Sequence, residues 1–232
     1  MNYFLGAASL FACSTCYAGI SGLVDHRSAN VSYLHYNGSH TIEGGYSEVS
    51  SDAGALFDGE YFDTQSDTEL GLFIDTALTY SSSISASGFS SSSYANSYSI
   101  EPNVGFTFVT MGFSNQVVFD LDETTTFSVD AEFLSAGGGD GGVVEFERIV
   151  DGESTVVYSA QSLNSIMSVH DFVTLEAGTY RYSAINWLGI DTIGRDSAVG
   201  ISSLTAQVAA VPSPGGSLVA LGCVFVGARR RR

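Results

Sequence analysis

Leu70-Gly71-Leu72-Phe73-Ile74-Asp75-Thr76-Ala77-Leu78-Thr79-Tyr80 decides the fold class. Leu70, Leu72, Ile74, Thr76, Leu78 and Tyr80 fall on one side of a two-residue repeat and Gly71, Phe73, Asp75, Ala77 and Thr79 on the other, the period of a pleated strand. Val104, Phe106 and Phe108 alternate in the same way, as do Phe127, Val129, Ala131 and Phe133. No stretch of similar length carries a 3.6-residue apolar stripe. Val143 to Val150 and Thr155 to Ser159 flank Asp151-Gly152-Glu153-Ser154, where Asp-Gly supplies the positive-φ chemistry of a hairpin turn. Further strands are expected near Val31 to Tyr36, Gln116 to Leu121, Phe172 to Leu175, Thr179 to Trp187 and Ala198 to Val208. About ten short strands with turns between them predict an all-β chain forming a single antiparallel β-sandwich, jelly-roll-like in its winding.

Composition agrees with strands. Ser, Gly, Thr, Tyr and Phe are abundant, Pro is rare and Lys is absent. The Ser-rich, Tyr-punctuated stretch from Ser81 to Ser99 reads as an exposed hairpin with serines on its wet face.

The two ends differ from the middle. Val211-Pro212-Ser213-Pro214-Gly215-Gly216 breaks any preceding strand, an apolar run continues to Ala228, and Arg229, Arg230, Arg231 and Arg232 close the chain. The uncharged run can enter a bilayer, while four arginines hold their end in the cytoplasm by the positive-inside bias. Gly215 to Ala228 is short against the roughly 20 residues of a full span, a gap that snorkelling arginines help to close. At the other end Phe4 to Phe11 is small and apolar, and Cys16-Tyr17-Ala18 before Gly19 approximates a small-x-small cleavage site. Residues 1–18 therefore read as a signal peptide, 19–210 as an exported β-sandwich domain, and 211–232 as a sorting tail with a short transmembrane helix. A lipoprotein signal at Leu10-Phe11-Ala12-Cys13 fits less well, because Phe11 is bulky and the leader very short.

The Pro, apolar and Arg tail resembles that of the PEP-CTERM family of bacterial surface proteins, with Pro212-Ser213-Pro214 where the family usually has Pro-Glu-Pro. The resemblance covers about a tenth of the chain. It implies processing near Val211 to Pro214 by an exosortase-type sorting protease, a transient membrane anchor, and association of the exported part with extracellular polysaccharide or biofilm.

With both ends set aside, Cys13, Cys16 and Cys223 all fall outside 19–210, which leaves no thiol for a disulfide, a nucleophile or a metal site in the exported part. Its charge also becomes more extreme: Arg27, Arg148, Arg181 and Arg195 stand against 25 acidic residues, a formal charge of about −21. Such a field excludes nucleic acid as a partner. It fits solubility in salt better than dedicated cation binding, because no complete ligand loop is present.

Candidate chemistry is sparse. Asp120-Leu121-Asp122-Glu123 and the glycine-rich Ala136 to Gly142 around Asp140 offer oxygens for Ca²⁺, but they read first as turns. His26, His35, His40 and His170 show no metal-ligand spacing, so no cofactor is expected. There is no Gly-x-Ser-x-Gly elbow, and no serine, histidine and aspartate are assigned to one another, so catalytic residues are not expected. Trp187 with Tyr180, Arg181 and Tyr182 offers a sugar-stacking face if alternate residues point outward; a lone Trp in a sandwich is more often core. From Phe127 to Trp187 the order of strand, glycine loop, hairpin and Leu175-Glu176-Ala177-Gly178-Thr179-Tyr180 resembles sugar-binding and pre-peptidase-like sandwich modules. The reading is thus a non-catalytic exported surface or matrix protein, with a secreted lectin or carbohydrate-active enzyme as the alternative.

Overall fold

The computed structural model describes residues 19–37, 40–52, 54–68, 71–100, 105–137, 139–193 and 197–211. Both expected end segments, residues 1–18 and Pro212 to Arg232, lie outside the described residues, as do Leu70, Val104 and Arg195. Among the described residues there is no helix, and twelve strands run β1 (Ile20–Tyr36), β2 (Thr41–Ser50), β3 (Phe57–Asp67), β4 (Leu72–Ser85), β5 (Gly88–Ile100), β6 (Phe106–Leu121), β7 (Thr125–Ala136), β8 (Gly141–Val150), β9 (Glu153–Leu163), β10 (Met167–Leu175), β11 (Gly178–Asp191) and β12 (Ser197–Ala210). They form two six-stranded antiparallel sheets, here sheet I in the order β2-β1-β6-β11-β8-β9 and sheet II in the order β10-β7-β12-β5-β4-β3.

From β5 onward each connection crosses between the sheets, except the β8–β9 hairpin. The first four strands extend this eight-stranded winding: the β1–β2 hairpin adds to sheet I beside β6, and β3–β4 adds to sheet II beside β5. The strands are longer than the sequence suggests. β6 runs for 16 residues because its two flanks, β1 and β11, pair with it along nearly its full length.

Alternation sets the core. Leu72, Ile74, Thr76, Leu78 and Tyr80 are buried, as are Phe127, Val129, Ala131 and Phe133. On β6 the inward set is Val109, Met111, Phe113, Val117, Phe119 and Leu121, while Phe108 faces solvent. Side chains from both sheets interleave in two apolar clusters. In one, Phe119 of sheet I meets Phe89 of sheet II at 5.2 Å between centroids, and Phe127 at 6.2 Å. In the other, Val31, Met111 and Phe113 of sheet I face Phe57, Ile74 and Leu78 of sheet II. Offset and edge-on ring pairs of this kind add about 0.5–1.5 kcal/mol each beyond burial.

Two local elements follow their chemistry closely. Asp151 and Gly152 take φ of 53° and 85°, so the β8–β9 turn is built on consecutive left-handed residues. Leu175 to Tyr180 carries the chain from β10 in sheet II to β11 in sheet I, and the Tyr180 hydroxyl donates back to the Glu176 carbonyl at 3.1 Å, fixing the corner.

The Ser81 to Ser99 stretch is a hairpin of two interior strands, but it corrects the expected orientation. On β5 Ser91, Ser93, Ser97 and Ser99 are buried and Tyr94 and Tyr98 face out. β5 lies between β4 and β12 under sheet I, so whichever of its faces points inward is covered completely.

Candidate functional site

The expected calcium residues do not converge. Asp120 is at the C-terminal end of β6, where its carboxylate accepts from the Thr179 hydroxyl at 2.6 Å, and Asp122 lies in the exposed turn that follows. Asp140 precedes Gly141, which pairs with Trp187, whereas Asp120 pairs with Thr179, so the two positions are about 27 Å apart along β11. No group of three or more His, Cys, Asp or Glu residues suited to a metal occurs among the described residues.

Asp140 is nonetheless unusual. It is 1% exposed, and neither carboxylate oxygen has a hydrogen-bond partner among the described residues. Burial pushes its carboxyl up to about 6, and the nearby Gly189 N–H, too poorly placed for a hydrogen bond, opposes this only weakly. The Gly139 N–H donates to the Gly189 carbonyl at 2.9 Å, tying the glycine loop to β11 beside an open cleft of about 490 Å³.

The histidines serve separate roles. His35 is buried with its Nδ1 3.2 Å from the Thr107 hydroxyl, and His26 is exposed on β1. His170 on β10 pairs with Asp130 of β7 on the outer face of sheet II. These two share a shallow groove of about 460 Å³ with Glu132, Ser168, Thr205 and Gln207. Ser168 and His170, two residues apart on β10, thus meet Asp130 of the adjacent β7, a pairing that sequence spacing did not reveal. No hydrogen bond joins Ser168 to His170 among the described residues.

The residues from Tyr180 to Trp187 divide between two faces. Tyr180 and Tyr182 point inward and are buried, while Arg181 points outward and bonds Glu147 at 2.8 Å. Trp187 also points outward, half-buried, against Gly141, where a Cβ would come within 2.4 Å of its ring. The expected core position for Trp187 is therefore corrected, and the four residues form no single stacking face. Gly141 is the cause: a bare backbone opposite Trp187 leaves room for the indole to lie across the outer surface.

Two polar assemblies at the β1–β4 end were not anticipated. Arg27 and Asp25, both fully buried, form an ion pair at 2.8 Å. The Arg27 guanidinium also donates to the carbonyls of Ser82 at 3.1 Å, Asp52 at 2.6 Å and Ala55 at 3.0 Å, and it lies 5.5 Å from the Phe57 ring. It thereby ties β1 to β4 and to the β2–β3 connection. Nearby, the edge strands β2 and β3 meet through stacked Tyr46 and Tyr61, 5.2 Å between centroids. Glu48 accepts from Tyr46 and Tyr80, and Asp63 accepts from Tyr33 at 2.6 Å and Tyr61 at 3.1 Å. Those hydroxyls hold both carboxyls below their ordinary range. Burial pushes Tyr33 and Tyr61 up to about 12. Gly44 and Gly59 make room for the rings, since a Cβ there would meet the hydroxyls of Tyr33 at 2.1 Å and Tyr80 at 2.4 Å. The assembly closes an open edge of the sandwich.

Comparison with protein-family models gives no match, and comparison with curated proteins gives none either.

Proposed function

We propose that the chain is an exported, non-catalytic cell-surface or extracellular-matrix protein, sorted by an exosortase-type protease and associated with extracellular polysaccharide. The observation that carries this reading is where the strand framework closes. β12 ends at Ala210, and the Val211 N–H makes a last ladder-like bond to the Thr126 carbonyl at 2.8 Å, immediately before the Pro, apolar and Arg tail. A strand that ends at Ala210, directly before the Pro, apolar and Arg pattern, supports a sorting role for that tail. The β5–β12 winding, with orders β10-β7-β12-β5 and β6-β11-β8-β9, supports a jelly roll, the eight-stranded architecture used by many lectin domains. Formal charge of about −21 supports life in a salt-screened exterior.

A second reading, a secreted carbohydrate-active enzyme, draws on one observation. Asp130 and Glu132 project from the same face of β7 into the groove beside His170, and two carboxylates in one groove are the minimum for glycoside hydrolysis.

The test combines fractionation with an activity screen. Replacing Arg229 to Arg232 with Ala should release the protein from the membrane fraction or block its processing. Identical fractionation and an unclipped C-terminus in both forms would reject sorting. Polysaccharide cleavage that is abolished by Asp130→Asn would favour the enzyme.

A further inference from the structure

β5 is anchored in the core by Phe89 and Ala95, but its other inward residues from Ser91 to Ser99 are serines. Ser93, Ser97 and Ser99 point into the sandwich, and their hydroxyls are buried without hydrogen-bond partners among the described residues. On the other side of the same strand, Tyr94 and Tyr98 are 41% and 39% exposed. Slipping β5 by one residue would bury both tyrosines and wet the hydroxyls, but would also expose Phe89 and bury Asn96. Phe89 accounts for this register, but at the serine and tyrosine positions it runs against the hydrophobic gradient, and unpartnered buried hydroxyls are costly. A stretch that keeps Tyr94 and Tyr98 outside at that cost presents them to something.

The register across sheet II shows what surrounds them. Asn96, between the two tyrosines, pairs with Ala77 of β4, which pairs with Phe62 of β3, itself 63% exposed. Tyr94 and Tyr98 are about 13 Å apart along the strand, and each is about 12 Å from Phe62. The three rings thus surround a flat floor of Ala77 and Asn96. Thr79 and Glu60 lie on the Tyr94 row, and Asp75 and Thr64 on the Tyr98 row, which places hydroxyl and carboxylate groups along both margins. Phe73 supports Tyr98 at 6.2 Å.

Charge selects the occupant. The described arginines are all engaged with acidic groups: Arg27 with Asp25, Arg148 with Glu176 and Arg181 with Glu147. None of them lies on this face, and its margins are acidic. An anionic polymer or lipid surface is repelled, and so is a second copy carrying the same charge of about −21. Rings flanked by hydrogen-bonding groups, with no cation, suit the apolar C–H faces and hydroxyls of sugar rings. We propose that this outer face of sheet II, around Tyr94, Tyr98, Phe62 and Asn96, is a binding platform for a neutral polysaccharide chain. It rests on the polysaccharide association proposed above and supplies its contact surface.

Affinity electrophoresis of the purified full chain tests this, in native gels containing hydroxyethylcellulose, xyloglucan or mannan, with alginate as the anionic comparison. Retardation by at least one neutral polymer and none by alginate is expected. Tyr94→Ser with Tyr98→Ser should weaken it about tenfold or more, and Phe62→Ser, on the edge strand, should weaken it independently. Circular dichroism and sedimentation of each variant establish that it is folded and report its oligomeric state. Retardation that is unchanged in folded variants overturns the platform while leaving polysaccharide association standing. No retardation by any neutral polymer overturns both. A wild-type dimer that the same substitutions convert to monomer overturns the platform by showing that the face meets a second copy.

Discussion

Replacing Arg27 by Met keeps the aliphatic stem and removes the guanidinium. Asp25 would then be a fully buried carboxylate without its ion-pair partner, and the carbonyls of Ser82, Asp52 and Ala55 would lose a donor. Breaking one side of a buried pair costs about 3–5 kcal/mol, a large share of a typical total stability of about 5–15 kcal/mol. With a urea slope of about 2 kcal/mol/M, the unfolding midpoint should fall by about 2 M. Trp187, the single tryptophan, reports unfolding by fluorescence, and far-ultraviolet circular dichroism gives a second probe. The double variant Asp25→Leu with Arg27→Met removes both charges and should recover much of the loss, since a buried pair replaced by apolar groups is often near neutral. A midpoint shift under about 0.5 M for Arg27→Met, or a double variant no more stable than the single, would refute the clamp.

Two further predictions concern charge. Because the Asp140 carboxyl is raised to about 6 when folded, against about 4 unfolded, the native state binds the extra proton and loses stability as pH rises through that window. Asp140→Asn should therefore raise the melting temperature at pH 7.5 and change it much less at pH 4; a lower melting temperature at pH 7.5 would contradict this. Stability should rise smoothly with NaCl at fixed pH, and micromolar Ca²⁺ at fixed ionic strength should add little, whereas a specific site at about 100 times its Kd would add about 2.7 kcal/mol saturably. A saturable Ca²⁺ shift that Asp140→Asn or Asp122→Asn abolishes would overturn the reading of these residues as turns.

How far the fold could be read from residues follows from which strands have an apolar inner face. β4, β7 and the β8–β9 hairpin carry regular alternation or Asp-Gly turn chemistry, and they form where expected. β2 and β3 were not legible, because beyond Ile42 and Phe57 their inward positions are Gly44, Tyr46, Glu48 and Ser50, and Gly59, Tyr61, Asp63 and Gln65. These residues satisfy one another across an open edge, a long-range arrangement that no local period encodes. β5 was read with its faces reversed, since serine inside and tyrosine outside opposes the hydrophobic rule on which the reading relied. Asp25 and Arg27 show the same limit: two residues apart on β1, they look like a solvated pair until β4 and the β2–β3 connection cover them. The expected Asp120 and Asp122 lie at one end of sheet I and Asp140 at the other, a separation set by topology alone.

Export with sorting through the tail is the central claim, and peptide mass spectrometry of the protein isolated from its native cells tests it most directly. The account predicts a mature N-terminus at Gly19, a C-terminus within Val211 to Pro214, recovery from the envelope or medium, and no peptide containing Arg229 to Arg232. A chain recovered from the cytoplasm with Met1 and Arg232 both in place would contradict it.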